Sequence, residues 1–278
     1  MTLPREVAVV GAGTMGAGIA RIFAAGGASV RLTARRQESL DAARERAGEA
    51  VAMTTDLAEA LAGADLVVET IVEEVEPKRG VLTRAEELAA PDAILTTNTS
   101  SLSVDEVGGE LQRPERFAGL HFLNPPELVQ VVEVVGGART APETLETLRG
   151  WMEELGKVPV VVLVDVPGFV VNRLQYALLR EAYGLVDAGV CSFEDVDRAV
   201  TAGLGARWAA IGPFQTMDLA GLDVHAAVAE NLWPELATTS KPSRSIEAAR
   251  ERGSIRADFD PEELKARRDR VLRLLREA

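Results

Sequence analysis

The chain predicts an α/β protein: a doubly wound, mainly parallel sheet followed by an all-helical C-terminal domain. Three observations carry this. Short apolar runs alternate with helical stretches over the first 166 residues, the pattern of strands joined by right-handed crossovers. The segment Gly11-Ala12-Gly13-Thr14-Met15-Gly16 matches G-x-G-x-x-G directly after the first run and opens a helix. From Pro167-Gly168 onward strand patterning stops and helical stretches remain. The 278 residues suit two domains, divided here as 1–166 (a Rossmann-type sheet) and 167–278 (helices only).

Val7–Val10 is a short apolar run of the kind that makes a buried parallel strand. A helix follows from Thr14 to about Ala25, a strand over Ser29–Thr33 and a polar helix to about Ala50. Leu66–Glu69 and Ala93–Thr97 read as strands separated by a helix from Val75 to Ala89. Strands over Phe117–His121 and Val129–Val135 precede a helix from Pro142 to Leu155 and a last strand, Val158–Val164. In the second domain we expect helices over Phe169–Ala188, Phe193–Ala202, Met217–Leu232 and Pro261–Arg276. The final one puts Leu264, Val271, Leu272 and Leu275 on one side, as a packed terminal helix does.

Composition excludes several classes. With 47% hydrophobic and 26% charged residues the chain is ordinary globular material. A net charge of −13 argues against nucleic acid as a general partner and against adhesion to an anionic membrane. The single cysteine, Cys191, cannot form an intramolecular disulfide. Met1 runs within a few residues into the first strand, leaving no room for a signal peptide, and no apolar run spans a membrane. We therefore expect a cytoplasmic protein. No His, Cys and carboxylate cluster has metal-ligand spacing, so no metal is expected.

The glycine pattern carries a physical meaning. Gly11 permits a tight turn, Gly13 lets backbone approach a pyrophosphate, and Gly16 allows close helix–strand packing. The helix beginning at Thr14 and Met15 then offers free N–H groups to phosphate. At the end of the second strand, where an acid usually receives a ribose 2′-hydroxyl, the chain has Thr33-Ala34-Arg35-Arg36. Two arginines suit a 2′-phosphate, so Arg35 and Arg36 favour NADP over NAD. The alternative is that both simply begin a solvated helix.

Of the two histidines, His121 ends an apolar strand, and Glu133 lies twelve residues on in a returning one. That arrangement can set imidazole and carboxylate side by side, in the manner of a proton-transfer pair. The alternative is a hydrogen-bonded structural histidine. His225 falls in a helix with no such neighbour and reads as packing.

Taken together the segments GAGTMG, VVETIVEEVEPK, NTSSLSV, RFAGLHFLNPP, VVEVV, PGFVVNR and GPFQTMDLAGLD closely resemble the 3-hydroxyacyl-CoA dehydrogenase family, 3-hydroxybutyryl-CoA dehydrogenase-like. The resemblance implies an NAD(P)-dependent oxidoreductase interconverting a 3-hydroxyacyl or related β-hydroxy acid with its 3-oxo form. It makes His121 the general base or acid, with Glu133 orienting it. Ser100 and Asn172 become the holders of the reacting oxygen. Glu73, Lys78, Asn98 and Asn124 fall where the family contacts cofactor or lines the site. It also implies a homodimer formed by the helical domain, which takes part in substrate binding. Asp218 and Asp223, in GPFQTMDLAGLD, read as helix caps.

The chain departs from the family pattern beyond the arginines. Members acting on coenzyme A thioesters usually carry a helical pair between positions equivalent to Leu40 and Asp56, where only one helix fits here. A K-[ST]-G-x-G-F segment is replaced by Arg252-Gly253-Ser254-Ile255-Arg256, where Arg256 could substitute for the family lysine. The acyl group's carrier (coenzyme A, a carrier protein, or none for a small free acid) stays open. The rival from another class is a non-catalytic dinucleotide-binding or structural protein that retains the fold.

Overall fold

The computed structural model describes residues 2–255 and 260–277, so Arg256 lies outside the described residues. The chain divides into two compact units, through Arg173 and from Leu174 onward.

The first unit is built on an eight-stranded sheet: β1 (Glu6–Val10), β2 (Ser29–Thr33), β3 (Val51–Thr54), β4 (Leu66–Glu69), β5 (Ile94–Thr97), β6 (Phe117–Phe122), β7 (Val131–Val135) and β8 (Val158–Val162). Their order is β3-β2-β1-β4-β5-β6-β7-β8, with β7 antiparallel to β6 and β8 parallel to β7. The order reverses between β1 and β4, the switch point outside which ligands bind in doubly wound sheets. Connecting helices are α1 (Thr14–Ala25), α2 (Gln37–Ala47), α3 (Leu57–Leu61), α4 (Val75–Leu88), α5 (Val104–Val107) and α6 (Pro142–Glu154).

Strand periodicity sorts the side chains between two faces. Val7, Val9, Leu66, Val68, Leu120, Phe122, Val132 and Val134 join one core with Ile19, Phe23, Leu40, Leu148 and Met152 from α1, α2 and α6. Ala8, Val10, Val67, Leu95, Phe117 and Val135 join the other, against Leu61, Leu82, Ala85, Val104 and Phe169. Burial of each such Leu, Val or Phe side chain stabilises the sheet by about 1.5–3 kcal/mol. The same parity aims Glu69, Thr97, His121 and Glu133 to this second face, all of them buried.

The second unit continues α7 (Val171–Asp187) and contains α8 (Phe193–Arg198), a π-helical turn (Ala199–Gly205), α9 (Ala206–Trp208), α10 (Pro213–Ala220), α11 (Leu222–Leu232), α12 (Arg244–Arg252) and α13 (Pro261–Glu277). Among the described residues none of the helices is long and apolar enough to cross a membrane.

Several expectations are corrected. The helix expected to about Ala50 stops at Ala47, because Gly48 takes a positive φ of 87° and the chain enters β3, a strand the sequence reading missed. β3 pairs in parallel with β2, Val30 opposite Val51. The short α3, capped by Asp56, and α12, capped by Ser243, were also missed. The single helix expected over Met217–Leu232 is two, broken at Gly221 with φ 94°. Asp218 therefore lies inside α10 and Asp223 in the first turn of α11, where Gly221 is the cap residue. The apolar side of α13 is only partly covered: Leu264, Val271 and Leu275 are each close to half exposed, and Leu272 is partly buried.

Candidate active site

At the C-terminal end of β1 the backbone turns through Gly11 at φ 116°. A Cβ there would lie 2.7 Å from the Thr70 carbonyl oxygen, and Thr70 Oγ1 donates to the Gly11 carbonyl at 2.9 Å. A Cβ on Gly16 would fall 1.8 Å from the Gly11 carbonyl oxygen, so helix and loop touch backbone to backbone. Gly13 differs: a Cβ there meets nothing within 4 Å. It also caps the 12-residue α1 with no side-chain hydrogen bond and no acid in the first turn. The start of the helix thus has room beside Gly13 and neither a side-chain cap nor an acid of its own. That is a cradle for a pyrophosphate. Arg35 and Arg36 lie beyond the end of β2, exposed. Arg36 is the extended N-cap of α2.

Beyond β5 and β6 lies a second constellation. His121 and Glu133 are direct cross-strand neighbours in the antiparallel β6–β7 register. Glu133 Oε2 lies 2.7 Å from His121 Nδ1, and both side chains are buried. Glu133 Oε1 accepts the backbone N–H groups of Val170 at 2.8 Å and Val171 at 2.9 Å. Burial pushes the Glu133 carboxyl upward, but the hydrogen bonds from His121, Val171 and Val170 outweigh it and hold it below its ordinary value. An ionised Glu133 can only accept, so Nδ1 carries a proton toward it and Nε2 is the nitrogen turned away from the carboxylate. Ser100 Oγ stands 3.1 Å from that nitrogen.

The turn Pro167-Gly168-Phe169 makes this possible. Gly168 has φ 79° and Phe169, unusually for a side chain of its size, φ 49°. That bend swings the next two N–H groups onto Glu133. It also sets the Phe169 ring edge-on to the imidazole, with centroids 5.5 Å apart.

The Ser100 loop is held separately. Its carbonyl accepts from Asn172 Nδ2 at 3.3 Å. Glu73 Oε1 accepts from Thr99 Oγ1 at 2.6 Å and from the N–H groups of Ser100 at 2.8 Å and Ser101 at 3.0 Å. Burial raises the Glu73 carboxyl, but these bonds and the Lys78 charge prevail and lower it overall. Lys78, on α4, is 1% exposed and pairs with Glu69 at 2.8 Å and Glu73 at 3.4 Å. Thr97 Oγ1 donates to the other Glu69 oxygen at 2.6 Å. Asn98 Oδ1 accepts the Phe122 N–H at 2.8 Å, tying β5 to β6. Asn124 is exposed and precedes Pro125 through a cis peptide.

The structure thus brings together Ser100, His121, Glu133 and Asn172, with Glu73, Lys78 and Asn98 bracing them. The Lys78 ammonium is buried and paired with two carboxylates. Glu69, Thr97, Thr99 and Phe169 were not singled out by the sequence reading. Strand parity was a usable signal for Glu69 and Thr97; nothing local marked the bend at Phe169.

Comparison with known proteins identifies the family. Residues 6–53 and 44–166 match the model for the 3-hydroxyacyl-CoA dehydrogenase NAD-binding domain, and residues 168–255 that for the C-terminal domain of the same enzymes. The chain belongs to the 3-hydroxyacyl-CoA dehydrogenase family. It is 37% identical over 250 residues (84% of this chain, 81% of the relative) to 5-formyl-3-hydroxy-2-methylpyridine 4-carboxylate 5-dehydrogenase of Mesorhizobium japonicum. To 3-hydroxybutyryl-CoA dehydrogenase of Clostridioides difficile it is 36% identical over 255 residues, 84% of this chain and 89% of that one. A crystal structure of a 5-formyl-3-hydroxy-2-methylpyridine 4-carboxylic acid 5-dehydrogenase, described as NAD+ dependent, superposes with a TM-score of 0.91 at 33% identity, covering 99% and 97% of the two chains. A 3-hydroxyacyl-CoA dehydrogenase from Archaeoglobus fulgidus gives 0.77 at 33% identity, covering 98% of each. This family member is accordingly a nicotinamide-dinucleotide oxidoreductase of the kind that acts on 3-hydroxyacyl or hydroxy acid substrates.

Proposed function

We propose that this family member interconverts the secondary alcohol of a β-hydroxy acid or 3-hydroxyacyl group and its ketone, with His121 as general base and acid. The observation that carries the reading is the chain of contacts Glu133–His121–Ser100, at 2.7 and 3.1 Å. Bound at the Gly11–Gly16 turn, the dinucleotide supplies a hydride acceptor or donor. The protein's own residues handle the proton. In oxidation His121 Nε2 takes it from the substrate hydroxyl, and Glu133 stabilises the resulting imidazolium. In reduction the imidazolium returns it to the carbonyl oxygen. Ser100 Oγ, and the amide hydrogen of Asn172 not engaged by the Ser100 carbonyl, are the neutral donors for that oxygen as charge develops on it.

On this reading residues 1–166 bind the dinucleotide, through Gly11, Gly13, Thr14, Met15 and Gly16, and residues 167–278 bind substrate and dimerise. Exposed Leu174, Phe214, Leu219, Leu222 and Trp233 support a dimer. NADP is favoured over NAD on Arg35 and Arg36, whose guanidinium groups have no hydrogen bond or ion pair with another described residue. A single cysteine is in keeping with the cytoplasm.

For the substrate we favour a small free acid over a coenzyme A thioester. α2 is followed directly by β3, with no second helix between Gln37 and Thr54. The 0.91 superposition is moreover with an enzyme named for a free pyridine carboxylic acid. Following nicotinamide absorbance across free 3-hydroxy acids, their oxo forms and the matching thioesters tests this directly. Turnover of free acids supports the reading. Turnover of thioesters alone would transfer it to acyl carriers, and inactivity throughout a broad panel would favour a non-catalytic binding protein.

A further inference from the structure

We propose that Glu73 is a positioning residue that acts through Ser100. The inference rests on the reading of Ser100 and His121 as members of the reacting site. Ser100 is held at each of its three polar atoms: Oγ beside His121 Nε2, carbonyl on Asn172 Nδ2 and N–H on Glu73 Oε1. That one Glu73 oxygen also accepts from Thr99 Oγ1, the Ser101 N–H and Ser101 Oγ. Four donors from three successive residues therefore converge on a single atom, and together they define the path of the loop.

The carboxylate is in turn fixed from below. Lys78 Nζ lies 3.4 Å from Glu73 Oε2 while bonded to both oxygens of Glu69. Glu69 is completely buried and takes Thr97 Oγ1 and the Ile71 N–H as well. The base of the network lies in regular structure: Glu69 in β4, Thr97 in β5, Lys78 in α4. The sheet and helix thereby set where Glu73 stands, and Glu73 sets where the Ser100 hydroxyl stands. Loss of the clamp frees the loop, and misplacement of a reacting group by about 1 Å costs up to about 100-fold in rate.

The chain has only two histidines, so ¹⁵N labelling of histidine gives two imidazoles, with His225 as an internal reference. Spectra and kinetics are to be compared for the full-length protein, Ser100→Ala, Glu73→Ala, Glu73→Gln and Ser100→Ala combined with Glu73→Ala. The expected result is that Glu73→Ala moves the His121 Nε2 resonance toward its Ser100→Ala position and leaves His225 in place. Glu73→Gln, which keeps an acceptor oxygen, moves it less. Glu73→Ala lowers kcat by about 10- to 100-fold, with almost no further loss of kcat in the Ser100→Ala background. An unmoved His121 resonance in both Glu73 variants overturns the proposal, as does a kinetic loss of equal size in the Ser100→Ala background or one confined to cofactor affinity. The spectral comparison decides the matter without turnover, so failure of the proposed reaction is separable from failure of the positioning role.

Discussion

His121 and Glu133 stand opposite each other in the antiparallel β6–β7 pair, 2.7 Å apart from Nδ1 to Oε2. Cross-strand pairing makes this contact a property of the sheet register, so neither side chain is free to drift. A one-residue slip would send one of them to the opposite face. The second Glu133 oxygen is taken by the Val170 and Val171 N–H groups, and imidazole Nε2 is turned toward Ser100 Oγ.

Acid titration of this contact has a defined sign. The Glu133 carboxyl is held below its ordinary value of 4.5. A depressed carboxyl contributes stability that is complete above the unfolded pKa and lost as pH falls through the folded one. The difference in melting temperature between the parent protein and Glu133→Gln should be greatest near neutrality and shrink once the pH drops below about 4. A difference that stays constant down to about pH 2.5 would contradict it.

Two glycines of the same loop should fail differently. Gly13→Ala places its methyl in open space, so the melting temperature should hold while dinucleotide affinity drops at least about tenfold. Gly16→Ala drives a methyl against the Gly11 carbonyl, and both stability and affinity should fall. Calorimetric titration and thermal melts on the two variants separate these outcomes. Equal behaviour would mean that Gly13 does not face the phosphates.

Cofactor choice is tested at the end of β2. Arg35→Asp should weaken NADP binding by at least about tenfold and improve NAD, because the guanidinium partner of a 2′-phosphate is replaced by an acceptor for a 2′-hydroxyl. Direct binding titrations with both dinucleotides provide the ratio. An unchanged ratio in Arg35→Asp and in Arg36→Asp would leave the arginines as an ordinary helix start.

Lys78 predicts a stability effect that can be measured apart from turnover. Lys78→Met leaves Glu69 fully buried without its cation, at a cost of about 3–5 kcal/mol. Urea unfolding of the variant measures it. A loss under about 1 kcal/mol would contradict this.

Much of this site was legible before any coordinates. The turn from Gly11 to Gly16 had its meaning from strand–glycine–helix context, and His121 with Glu133 from two apolar strands each carrying one polar residue. What escaped was non-local. β3 has only four residues after a polar helix, too short a run to outweigh the helical pattern before it. The role of Phe169 depends on a positive φ that its residue type disfavours. Only packing against His121 and the two bonds to Glu133 reveal why it is there. The four-donor convergence on Glu73 joins residues 26 to 28 positions away, and no local pattern encodes that. The apolar side of α13 was read as packed, yet it is half exposed: amphipathicity specifies that a face is to be covered, without naming what covers it.

The central claim is that His121 moves the proton. The most direct measurement is single-turnover kinetics of His121→Gln with saturating dinucleotide and the best substrate of the panel, alongside titration of cofactor affinity. We predict a rate lower by about 10²- to 10⁴-fold with cofactor affinity unchanged. A rate within threefold of the parent protein, on an enzyme that binds its cofactor normally, would contradict the account.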